Sequence, residues 1–160
     1  MNVINNLDNT KLKTIQTTFH AIQVLKADRK NINDEITSSI DKCISATGIA
    51  KDEIKDWLSI SAKVASGKGR PMHLELLTKI EAGFTTDNRA KMEELNTDVK
   101  GYKEEKKLMS AEITAEVNKC AAEVFLKKDA IKEFFKLMEM DAKGVNVDAH
   151  NEVLQRVKSI

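Results

Sequence analysis

Proline occurs once in these 160 residues, at Pro71, and glycine only six times. Breakers this scarce cannot punctuate a sheet of short strands, so long uninterrupted helices are the economical reading. Aromatic side chains make up 4% of the chain, which leaves most of the core to aliphatic residues. No apolar run approaches the roughly 18 residues of a membrane-crossing helix, and no apolar leader follows Met1, so the chain reads as soluble and cytoplasmic. Neither sign of charge is in excess: 26 Lys/Arg stand against 25 Asp/Glu, a net +1, with no polybasic tail. Any affinity for nucleic acid must therefore come from a local stripe and not from bulk charge. The two cysteines, Cys43 and Cys120, form no CxxC pair and have no histidine at metal-ligand spacing. They read as small buried helical residues in a reducing compartment, with a disulfide between them as the alternative.

What the chain does have is a repeat. Shifted by 77 positions without a gap, Glu35-Ile36-Thr37 falls on Glu112-Ile113-Thr114 and Lys42-Cys43 on Lys119-Cys120. Further along, Lys51-Asp52 meets Lys128-Asp129, Ile54-Lys55 meets Ile131-Lys132, Gly67 meets Gly144, and His73 with Glu75 meets His150 with Glu152. Apolar faces apolar between these clusters, as at Trp57 and Phe134 or Ile80 and Val157. The pattern is that of a tandem duplication, with one copy over residues 1–83 and the other over 84–160. Copy 1 carries 12 Lys/Arg against 10 Asp/Glu and copy 2 carries 14 against 15. Each copy is near the size at which one core barely suffices, so mutual packing is expected.

Residues 1–6 read as a short polar tail. Apolar positions then recur at helical steps from Leu12 through Ile15, Phe19, Ile22, Leu25, Ile32, Ile36, Ile40 and Cys43 until Gly48. Such a helix is roughly 55 Å long at 1.5 Å per residue. Copy 2 repeats it from Met92 to Cys120, capped near Thr86 or Asp87. Gly48 suits a left-handed helix stop, whereas copy 2 has Phe125 there and must turn differently or run on. A second helix over about 50–66, with Ile54, Trp57 and Leu58 inside, precedes the loop Gly67-Lys68-Gly69-Arg70-Pro71, and a short third helix follows over about 72–81. Copy 2 matches these with Ile131, Phe134, Phe135 and Met138, the turn at Gly144, and a helix over about 148–158. The expected fold is all-α: two tandem three-helix units, each one long helix plus two short ones. Two short helices cannot cover a long one, so the stem stripes Leu12, Ile15, Phe19, Ile22 and Met92, Leu95, Val99, Tyr102 are expected to cover each other as a pseudo-dimer.

Catalytic chemistry is not in evidence. His20, His73 and His150 are scattered, Gly67-Lys68-Gly69 has the wrong length and context for a phosphate loop, and acid pairs such as Glu104-Glu105 alternate with lysines as on a solvated helix face. The chain reads as a non-enzyme without cofactor or metal. Basic residues show more order. Lys26, Arg29 and Lys30 form a one-turn patch, matched by Lys103, Lys106 and Lys107. Lys51, Lys55, Lys63, Lys68 and Arg70 follow on the second helix and its loop, with Lys128, Lys132 and Lys136 in copy 2. Such spacing suits sequence-tolerant contact with phosphates, and it equally suits a surface that is simply charged.

The segments Leu12-Lys13-Thr14-Ile15, Gly48-Ile49, Ile54-Lys55-Asp56-Trp57-Leu58 and Glu75-Leu76-Leu77 together resemble two small families. One is the double-stranded-DNA-binding late-transcription coactivator of T4-like phages, called DsbA and distinct from the disulfide oxidoreductase of that name. The other is the bacterial nucleoid protein GapR. The resemblance implies helical protomers that dimerise through the long helix and contact duplex DNA with basic residues. This chain is then two protomers fused, a pseudo-dimer in one chain or a homodimer of such chains, in a bacterial or phage-infected cytoplasm. Lys55 and Lys132 stand at a basic position of GapR's second helix. Lys136 stands at another, where copy 1 has Ser59, and Ser61 and Met138 occupy a third, so this helix is less basic than its counterpart. Duplex DNA is the implied partner, with RNA polymerase or another protein as a second. A helical protein-interaction module without DNA binding is the alternative.

Overall fold

The computed structural model describes residues 2–160, apart from the side chains of residues 2, 3 and 149; Met1 of the segment read as a tail lies outside the described residues. Every regular element among them is helical: α1 Asn2–Asn5, α2 Asn9–Thr47, α3 Lys51–Ala65, α4 Pro71–Glu81, α5 Thr86–Val124, α6 Lys128–Ala142, a 3-10 turn Asp148–His150, and α7 Asn151–Lys158. No helix of the described residues is long and apolar enough to cross a membrane.

The element bounds recur at the spacing of the sequence repeat. From α2 to α5 both ends move by 77 (86 − 9 and 124 − 47), as they do from α3 to α6 (128 − 51 and 142 − 65). The span of α4 maps in the same way onto the 3-10 turn plus α7 (148 − 71 and 158 − 81). Caps explain the starts of the long helices. The Lys11 amide donates to Asp8 Oδ1 at 2.9 Å, and the Asn88 amide donates to Thr85 Oγ1 at 3.1 Å, so Thr85, one residue before the expected pair, caps α5. Gly48 stops α2 at φ +71°. At Phe125 the helix does not run on; the phenylalanine itself takes φ +57°, and the Leu126 amide closes back on the Ala121 carbonyl at 3.1 Å.

The chain forms two compact units that do not follow the copy boundary: a terminal unit, Met1–Arg29 with Lys107–Ile160, and a central unit, Lys30–Lys106. Each combines the stem of one copy with the rest of the other copy's helices. In the terminal unit Leu12, Ile15, Phe19 and Ile22 cluster with Val117 and Cys120 of α5, Ile131, Phe134 and Phe135 of α6, and Val153, Leu154 and Val157 of α7. In the central unit Met92, Leu95 and Val99 cluster with Ile40 and Cys43 of α2 and with Ile54, Trp57 and Leu58 of α3. The stems therefore do not cover each other, as the periodicity suggested; each is covered by the short helices of the other copy. The reason is supply of apolar surface: α3 and α6 each present four buried residues, enough to sheathe a stem that would otherwise face water.

Within each unit the two long helices run antiparallel. In the terminal unit Lys11 Nζ lies 5.1 Å from the centre of the Phe125 ring, and Arg29 Nη1 donates to Ser110 Oγ at 3.1 Å. In the central unit Cys43 Sγ meets Met92 Sδ at 3.6 Å, and Asn88 Nδ2 donates to the Thr47 carbonyl at 3.3 Å. Of the expected polar tail, Ile4 is instead part of the terminal core. Ile4 on α1 is 1% exposed, and the Arg156 guanidinium holds the following turn by donating to the carbonyls of Asn5 and Leu7, both at 2.9 Å. Leu7 lies beyond α1, and a turn closed by its amide on the Ile4 carbonyl at 3.1 Å brings both residues into that core. The central unit has no such cover, and α4 buries none of its residues.

Candidate nucleic-acid interface

Helix α3 is amphipathic because Ile54, Trp57 and Leu58 recur at helical steps and turn inward. That fixes Lys51, Lys55 and Lys63 on the exposed side. In the central unit Lys55 and Lys63 of α3 and Lys103 of α5 line one groove of about 380 Å³, floored by Ile36, Ile40, Leu58, Ala62 and Val99, with Ser59 also on its wall. The lining holds three lysines and no carboxylate. A second groove, about 280 Å³, shares Leu58, Ala62, Val99 and Lys103 with the first and adds Lys100, Ser61, Asn96 and Glu104. The clefts along α2, by contrast, mix signs, with Asp34, Asp41 and Lys42 in one and Glu35, Lys42, Lys91, Glu94 and Asp98 in another. They offer an anion no net attraction.

The remaining expected cations divide between the units. In the central unit Lys30, Lys51, Lys68 and Arg70 are exposed but outside the lysine groove, and Lys106 is half-buried. In the terminal unit Lys128, Lys132 and Lys136 lie exposed at four-residue steps along α6, and Lys107 is exposed on α5. Steps of four place the α6 lysines in one stripe, about 12 Å from first to last. Among the described residues the ion pairs within 4.0 Å take up only Lys26 of the fourteen. Lys26 Nζ contacts Glu139 Oε1 at 2.7 Å, and Gln23 Nε2 donates to the same oxygen at 3.0 Å. These two hydrogen bonds, the lysine's first, hold the Glu139 carboxyl below its usual range. With Arg29 donating to Ser110, two of the three members of the patch Lys26, Arg29 and Lys30 make side-chain contacts within the terminal unit, although the Lys26 side chain stays 41% exposed.

No family model, curated protein or solved structure matches the chain.

Other residues noted in the sequence have structural employment. His73 Nδ1 accepts from the Arg70 amide at 2.9 Å at the start of α4, a cap of the kind a helix N-terminus needs. Cys43 and Cys120 are free and buried, and burial pushes both thiols up. Among the described residues no group of three or more His, Cys, Asp or Glu is placed to hold a metal ion. Sequence reasoning missed Lys100. Its signal is the one-turn step from Lys100 to Lys103 on α5, which the apolar stripe Met92, Leu95 and Val99 on the same helix masks.

Proposed function

We propose that the chain binds double-stranded DNA through the phosphate backbone, largely without sequence readout. The observation that carries this reading is the central-unit groove, where Lys55, Lys63 and Lys103 line one wall system without a carboxylate. Lys55 and Lys63 lie about 12 Å apart along α3 at 1.5 Å per residue, a length that spans several phosphates at about 3.4 Å each. The exposed stripe Lys128, Lys132 and Lys136 supplies a comparable spacing on α6. Ammonium groups at such intervals attract phosphates as point charges, which favours positioning over base discrimination. The phage-coactivator and nucleoid-protein resemblance supports the same reading. On that resemblance, the proposed setting is a bacterial or infected-cell cytoplasm and the proposed role is in transcription or DNA organisation.

The test is titration of a fluorescent duplex and the matching single strand at two salt concentrations. If about four phosphates are neutralised, the log–log salt slope is near −3.6, and affinity falls roughly a hundredfold between 50 and 200 mM salt. Replacing Lys55 and Lys132 together by glutamate abolishes duplex binding. Duplex binding unaffected by that double change removes these residues from the interface, and no duplex binding at low salt rejects the reading.

A second reading, protein interaction, is favoured by one observation. On α4 Met72 is 63% exposed, Leu74 52% and Leu76 45%, whereas α7 buries Val153, Leu154 and Val157. Apolar residues on both flanks of an exposed helix suit a protein partner such as a polymerase subunit. Purified polymerase that binds the wild-type chain but not a Met72→Gln/Leu76→Gln variant supports this reading; equal binding of both rejects it.

A further inference from the structure

The internal repeat lets one copy report on the other. In the terminal unit Glu139 of α6 lies against α2, taking Lys26 Nζ at 2.7 Å and Gln23 Nε2 at 3.0 Å. Shifted by 77 positions, Glu139 back and Lys26 and Gln23 forward, these residues are Ala62, Lys103 and Lys100. The central unit thus keeps the cation, replaces the neutral donor with a second cation, and deletes the carboxylate that both would serve. Ala62, Lys100 and Lys103 line one groove there, and Ala62 and Lys103 share the adjoining groove with Lys55 and Lys63. The only carboxylate on either lining is Glu104.

From this we infer an anion subsite over Ala62, which takes one phosphodiester group of the DNA backbone between Lys100 and Lys103, where the terminal unit holds its own Glu139 carboxylate. The inference rests on the duplex reading and narrows it to the central unit. In the terminal unit the equivalent helices, α6 and α2, bring an oxygen anion within hydrogen-bond distance of both donor positions. It also explains why the corresponding terminal surface is not an equivalent subsite: its anion is built in. Lys55, about two turns before Ala62 on α3, and Lys63, next to it, line the adjoining groove, so a strand seated at Ala62 has further cations beside it. A strand of phosphodiesters fits better than an isolated carboxylate, because each group carries a single negative charge and the four lysines on the two linings call for several in a row.

The experiment exchanges the two arrangements. Ala62→Glu places the missing carboxylate on an exposed alanine of a helix interior, where glutamate is nearly as good a helix former as alanine, so the fold survives; circular dichroism checks it. Binding of a 20-base-pair duplex, followed by anisotropy from 50 to 200 mM salt, should weaken at least about tenfold in Ala62→Glu, with a salt slope shallower by about 1 to 2. Lys103→Gln, which adds no carboxylate, should weaken binding in the same direction. The paired variant Glu139→Ala, with Gln23→Lys, should create a second subsite and steepen the slope. Wild-type binding that Ala62→Glu and Lys103→Gln leave unchanged overturns the subsite while the duplex reading stands. Absence of wild-type duplex binding overturns both. Displacement of the duplex by an acidic helical peptide at lower concentration than by single-stranded DNA assigns the groove to protein and overturns the phosphodiester inference.

Discussion

Phe125 adopts at φ +57° the left-handed turn that Gly48, 77 positions earlier, adopts at φ +71°. The two helices end at equivalent points although only one has the residue that makes the ending easy. A phenylalanine there costs about 1–2 kcal/mol, because its Cβ crowds the carbonyl in the left-handed region. The ring is 83% exposed and recovers part of that cost by lying under the Lys11 ammonium at 5.1 Å, a contact worth about 0.5–1 kcal/mol at an exposed site.

Comparing two truncations isolates the backbone term. Phe125→Ala and Phe125→Gly both lose the ring and the Lys11 contact, but only glycine relieves the left-handed strain. We expect Phe125→Gly to be more stable than Phe125→Ala by about 1 kcal/mol, the relief being partly offset by about 0.4–1 kcal/mol of extra unfolded-state entropy. Urea denaturation of the two variants measures it, and an alanine variant as stable as the glycine one contradicts a strained Phe125.

Acid should act on the terminal unit through Glu139. Its carboxyl pKa is lowered on folding, first by the hydrogen bond from Lys26 and then by that from Gln23. A depressed carboxyl pKa contributes stability that is present above the unfolded value and is lost as pH falls through the folded value. Glu139→Gln removes that contribution, so the stability gap between wild type and variant should be largest near pH 6 and close as pH falls below the ordinary carboxyl value of 4.5. A gap that stays constant from pH 6 to pH 3 contradicts the assignment.

The cysteines should behave as core residues. Burial, the largest cause, raises both thiol pKa values; hydrogen bonds to Thr47 at Cys43 and to Thr18 at Cys120 act the other way. Because the thiolate is the nucleophile, a raised pKa means slow alkylation. At pH 8 we expect a thiol reagent to label the native chain much more slowly than the urea-unfolded chain. Rapid native labelling of either residue contradicts its burial.

Helical periodicity made the fold class and nearly every helix legible, since apolar steps of three and four leave little choice over 39-residue stretches such as α2 and α5. The turns at Gly48, Gly67 and Gly144 were equally visible, because the left-handed backbone there favours glycine. What covers each stem was not legible. A stripe such as Leu12, Ile15, Phe19 shows that something apolar must cover it, but a second stem and a foreign pair of short helices satisfy the same pattern. Nor did the pattern show which lysines are free. Lys26 and Lys103 are equivalent in the repeat, and only the residues opposite them, Glu139 and Ala62, separate an engaged cation from an available one.

The contrast between α4 and α7 gives a last test of how far the two copies have diverged. Leu76 and Val153 occupy equivalent positions, yet Leu76 is 45% exposed and Val153 only 2%. The terminal unit tucks Ile4 and Leu7 into the core that α7 shares, while in the central unit the chain passes from α4 into α5 through residues 82–85 and has no such segment to spare. Truncating Val153 to alanine should cost about 2 kcal/mol, the buried carbons at about 0.8 each plus the cavity they leave. Truncating Leu76 to alanine should change stability by less than about 0.5 kcal/mol, as at an ordinary surface position. Thermal melts of the two variants at matched concentration decide it. A Leu76→Ala loss as large as that of Val153→Ala, growing as the chain is diluted, would mean that the α4 flank is already covered in solution by a second molecule.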